Sequence, residues 1–80
     1  MGSTIHSENY RSLLTLIRKL RLDAGLNQTE VAERLGRPQS WISKVEVGER
    51  RIDVEELRQL CIALGTDLTA VTSDWLDGIK

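Results

Sequence analysis

Apolar residues recur along this chain three and four positions apart, and no segment alternates in the manner of a strand. Tyr10, Leu13, Leu14, Ile17 and Leu20 form one stripe, which predicts a helix from about Glu8 to Ala24, closed by Gly25. Asn27 and Glu30 have capping-box spacing and open a second helix, with Val31, Ala32 and Leu35 inward and Gly36 at its end. Pro38 fits only a helix's start, so a third helix begins near it and runs to about Val47, with Gly48 beyond. Asp53 and Glu56 repeat the capping box and start a fourth, striped by Val54, Leu57, Leu60, Cys61 and Leu64 and closed by Gly65. Asp67 or Thr66 caps a short fifth helix carrying Leu68, Val71, Trp75 and Leu76. The expectation is an all-α, compact five-helix domain over residues 8–80, after a flexible tail over 1–7.

The most informative part is residues 28–47, QTEVAERLGRPQSWISKVEV, which reads as two short helices around a tight turn. Val31, Ala32 and Leu35 face one way on the first, and Ile42 and Val45 on the second. Gly36 stands where the first must stop, and Ala32 is small where two steeply crossed helices approach. Gln39, Ser40, Ser43 and Lys44 are left on the outer face, all able to hydrogen-bond base edges or phosphates. Helix pairs of this kind set the second helix into the major groove of DNA.

Charge sharpens this reading. The chain's net charge is −1, but residues 34–51 hold Arg34, Arg37, Lys44, Arg50 and Arg51 against Glu46 and Glu49. The basic excess coincides with the second helix of the pair and the loop after it. Residues 52–80 are net −4 and are expected to face away from DNA. One cysteine, Cys61, excludes an intrachain disulfide and a cysteine-built zinc site; on the fourth helix's stripe it reads as a buried thiol. No apolar run nears the roughly 18–20 residues that span a bilayer, and the polar start lacks the apolar core of a signal peptide. A cytoplasmic location is therefore expected.

The segment from Ile17 to Gly65, IRKLRLDAGLNQTEVAERLGRPQSWISKVEVGERRIDVEELRQLCIALG, resembles the lambda-repressor-like, Cro/C1-type helix-turn-helix family, also called the xenobiotic-response-element type. LR…GLNQ, the Val-Ala pair, Gly36, IS-x-x-E-x-G and the following leucine helix carry the resemblance as a set. It implies that Gln28 contacts a phosphate and braces Gln39, and that Gln39 and Ser40 are the main base-contacting residues. It implies further groove contacts from Ser43 and Lys44, and a partly buried pair of Arg21 and Glu46 that fixes the third helix on the first. The chain departs from the pattern at Trp41, where many relatives carry a smaller residue, a tyrosine or a phenylalanine. Its Gly48–Asp53 segment is also shorter than in some phage repressors.

Arg37, Arg50 and Arg51 are either ordinary surface arginines or flanking phosphate contacts. Trp41 either packs over the turn and the Arg37–Pro38 segment or lies on the sugar-phosphate edge; partial packing is favoured. Trp75, Leu76 and Ile79 either close the core or form a patch for a second copy, and a dimer contact is preferred. The resulting expectation is a transcriptional regulator, a repressor in the first instance, that binds a palindromic operator in double-stranded DNA as a homodimer. The alternative is a protein-interaction module such as an antitoxin or coactivator bridge. A single histidine, a single cysteine, no phosphate-cradling glycine loop and no metal-ligand cluster argue against an enzyme, a cofactor or a small-molecule ligand.

Overall fold

A computed structural model describes residues 7–79. These form α1 (Glu8–Asp23), α2 (Gln28–Leu35), α3 (Gln39–Glu46), α4 (Val54–Ala63) and α5 (Leu68–Ile79), with no strand among the described residues. The tail expected over 1–7 lies outside them except for Ser7. Ser7 is not tail: its hydroxyl accepts from the Tyr10 amide at 3.0 Å and caps α1.

The capping residues act as their spacing indicates. Asn27–Glu30 and Asp53–Glu56 each make both reciprocal bonds of a capping box, and Asp67 Oδ1 accepts from the Ala70 amide to start α5. Gly36 ends α2 with φ +67°; the Arg37 amide then reaches back to the Ala32 carbonyl at 3.0 Å. Pro38 sits one residue ahead of α3, at the cap position.

The inward stripes meet in one core. Ile17, Val31, Ile42, Val45, Leu60, Cys61 and Val71 are the most fully buried. α2 packs against α3 and α4, α1 against α3 and α5, and α4 against α5. Arg34 of α2 donates to the Ala63 carbonyl at 2.8 Å and so satisfies an orphan acceptor at the end of α4.

Two expected inward residues are corrected. Val54 is 69% exposed. It opens α4, one residue after the cap, before the helix has settled onto the core. Leu76 is half exposed, because the far end of α5 carries it past its neighbours. Of Trp75, Leu76 and Ile79, expected either to close the core or to form a patch for a second copy, Trp75 takes the first role. It packs against the core, and its indole N–H donates to the Asn9 carbonyl at 2.8 Å and the Ser12 hydroxyl at 3.0 Å.

Cys61 lies in the core, and burial, with Asp67 adding to it, pushes its thiol up from 9.0 to about 11. The folded value is the higher one. The thiol's contribution to stability is therefore complete below the unfolded value and is lost as pH rises from 9.0 towards about 11. At neutral pH a thiol-alkylating reagent should label native protein slowly and denatured protein fast. Labelling of the native protein as fast as of the denatured one would contradict this burial.

Candidate nucleic-acid interface

α3 presents two faces. Trp41, Ile42 and Val45 point into the protein. Gln39, Ser40 and Lys44 are exposed and Ser43 is half-buried, so the four candidate base-contacting residues share one accessible side. Pro38 gives α3 no side-chain cap, which leaves its first-turn amides unclaimed by a capping side chain.

A continuous chain of hydrogen bonds runs from α1 to this face. Arg21 grips Glu46 with two bonds, Nε to Oε2 at 2.6 Å and Nη2 to Oε1 at 3.0 Å. Its Nη1 also donates to the Leu26 carbonyl at 2.9 Å, tying the α1–α2 turn to the pair. The two charged side chains are only 9% and 5% exposed, so this is an ion pair largely withdrawn from water. Gln28 Nε2 donates to Glu46 Oε1 at 3.0 Å, and Gln39 Nε2 donates to Gln28 Oε1 at 2.7 Å.

The chain has a direction. A carboxylate only accepts, so Glu46 dictates which end of the Gln28 amide faces it. The Gln28 oxygen is then turned towards α3 and can only accept, so Gln39 must offer its nitrogen. Gln39 Oε1 and its second amide hydrogen remain as one acceptor and one donor on the exposed side. That is the pair of groups that matches N6–H and N7 of adenine.

The flanking arginines are organised too. The Arg37 guanidinium lies over the Trp41 ring, 4.3 Å from its centroid, and that of Arg50 lies at 5.4 Å. Both reach Glu56 Oε2, Arg37 at 3.7 Å and Arg50 at 2.9 Å. The Arg51 guanidinium lies 4.4 Å from the Tyr10 ring centroid, and the Tyr10 hydroxyl accepts from the Ile52 amide at 3.1 Å. Trp41 packs over the Arg37–Pro38 side, as favoured, but it is buried rather than partly so.

Sequence reasoning missed two features. The spacing marks Glu56 only as a capping residue of the acidic third, whereas its carboxylate joins two arginines beside α3. The capping-box spacing concealed that second role. Arg11 and Arg18 line a groove with Glu46, Val47 and Gly48, adding positive charge beside the end of α3. Their i, i+7 spacing on α1 was the available signal.

No helix of the described residues is long and apolar enough to cross a membrane, and no group of three potential metal ligands occurs among them.

A helix-turn-helix domain model matches residues 12–73. An XRE-family like protein from Pseudomonas syringae pv. tomato str. DC3000 is 44% identical and superimposes with a TM-score of 0.88, over 99% of this chain and 96% of that one. The restriction-modification controller protein C.Esp1396I superimposes with a TM-score of 0.84 at 20% identity, over 92% and 95% of the two chains. That controller has also been seen as a tetramer in complex with its natural 35 base-pair operator. The clp gene regulator ClgR from C. glutamicum gives a TM-score of 0.79 at 24% identity, over 94% and 97%. No curated protein matches the chain in sequence. The helix pair, the buried Arg21–Glu46 brace and these likenesses lead to one conclusion: the chain belongs to the helix-turn-helix domain family, in its XRE-type, Cro/C1-like branch.

Proposed function

We propose that this protein is a sequence-specific transcriptional regulator, a repressor, that binds a palindromic operator in double-stranded DNA. The observation that carries the reading is the bond chain from Arg21 to Gln39, which orients one side-chain amide on an exposed helix face. A surface helix of no function has no need of three braces behind one glutamine. In this reading α3 enters the major groove. Gln39, Ser40, Ser43 and Lys44 face bases; Gln28, Arg37, Arg50 and Arg51 face phosphates. The first-turn amides of α3 add favourable partial charge there. The controller protein whose fold this chain shares has been seen in complex with operator DNA, which supports a DNA-binding reading.

Two copies would bind, with half-sites about one helical turn, roughly 34 Å, apart. The half-exposed Leu76 and the neighbouring Ile79 are the dimer contact we favour; Trp75 stands behind them, fixed on α1. The protein acts in the cytoplasm, as a binder rather than an enzyme, and without a cofactor.

Selection of bound duplexes from a random pool tests this directly. The expected result is an enriched inverted repeat with adenine at one position of each half-site, its affinity falling steeply with salt. Enrichment of no sequence would overturn the reading, and a single unrepeated site would overturn the dimer.

A further inference from the structure

The acidic third of the chain does not turn wholly away from the proposed DNA face, because Glu56 reaches into it. We propose that Glu56 is an internal stand-in for a DNA phosphate. It holds Arg37 and Arg50 in the free protein and competes with the DNA backbone for them, so it sets how tightly the protein binds DNA. This inference rests on the proposed DNA-binding function.

The geometry is that of an occupied anion site. Arg37 precedes α3 and Arg50 follows it, yet both converge on one carboxylate oxygen, at 3.7 and 2.9 Å. Trp41 forms the platform beneath them. Its indole Nε1 is buried and has no hydrogen-bond partner. The ring is therefore placed by packing and by the guanidiniums over it, not by a polar bond of its own. Glu56 is the inner member, with its side chain 13% exposed, while those of Arg37 and Arg50 are 33% and 40% exposed. Two guanidiniums against one carboxylate leave a surplus positive charge and several N–H donors towards solvent.

The cap does not require the negative charge. Glu56 Oε1 accepts from the Asp53 amide at 3.0 Å, and a glutamine oxygen can make that bond equally well. The charge is thus separable from the fold, and its remaining partners are the two arginines.

Glu56→Gln tests this by anisotropy of a labelled, mixed-sequence DNA duplex over a range of salt concentrations. The variant should bind about fivefold tighter at low salt, the worth of one partly exposed ion pair released. Its log–log salt dependence should steepen by about one unit, for one further phosphate engaged. The thermal midpoint should stay close to that of the wild type. In an Arg37→Gln/Arg50→Gln background the same change should lose most of its effect, since the competition has no object. Wild-type binding with equal or weaker binding by Glu56→Gln would overturn the inference alone. So would a gain of undiminished size without the two arginines. A wild-type protein with no affinity for the duplex would overturn the DNA-binding function itself, and this inference with it.

Discussion

Replacing Glu46 with alanine should cost about 3–5 kcal/mol of stability, the usual consequence of leaving one member of a buried ion pair alone. Arg21 is 7% exposed and cannot swing its guanidinium into water without leaving the Leu26 carbonyl. The loss is large against the roughly 5–15 kcal/mol that holds a small domain together. Urea or thermal unfolding followed by helical circular dichroism would measure it; a loss below about 1 kcal/mol would mean that the pair behaves as an exposed one. The apolar exchange Arg21→Met with Glu46→Leu should recover much of the stability, because no charge is then left without a partner. It should not recover orientation at Gln39, since Gln28 has lost the acceptor that fixes its amide. Stability and base selection would then separate in one pair of variants.

That separation bears on why an ion pair occupies this place at all. A hydrophobic pair would join α1 to α3 as firmly, but only an obligate acceptor can polarise the amides of Gln28 and Gln39 in sequence. The cost of burying Glu46 is offset locally by the two Arg21 bonds and the Gln28 bond. The core and the exposed face of α3 are therefore parts of one structure: the residue that locks α3 onto α1 also aims the glutamine at its tip.

Much of this was legible in the sequence because the signals were local. Capping boxes at Asn27–Glu30 and Asp53–Glu56 and the glycine stop at Gly36 are short-range devices, and they set helix boundaries to within a residue or so. The facing of α3 followed from Ile42 and Val45 alone. What escaped lies in the third dimension. Val54 fits its stripe by spacing, but a helix's first residue touches the core only if the preceding loop lets it. Trp75 has the composition of a sticky patch, and only the return of α5 along α1 gives its indole two acceptors. Glu56 pairs with arginines 6 and 19 positions earlier, a meeting no periodicity encodes. The Arg21–Glu46 pair, 25 positions apart, was within reach only through resemblance to a family.

Gln39→Ala should leave the fold intact and remove about 1–3 kcal/mol of discrimination at a single base pair of each half-site. The residue is exposed and its side-chain amide bonds Gln28, so truncation leaves no buried charge and no cavity. The measurement is affinity for the selected operator and for its variants at every position. Wild type should lose affinity sharply when the adenine facing α3 is changed, whereas Gln39→Ala should be nearly indifferent there and keep its preferences elsewhere. Glu46→Gln is the informative companion. A carboxamide at 46 can donate as well as accept, so the Gln28 amide gains a second permissible orientation and Gln39 can then be turned to offer its oxygen inward; its NH2 replaces one acceptor of Arg21, so stability falls as well. Relaxed choice at the same base pair is expected, with the glutamine still present. Unchanged operator preference in Gln39→Ala would place base reading on another residue of α3. Relaxation in Gln39→Ala but not in Glu46→Gln would mean that the glutamine reads the base without its brace.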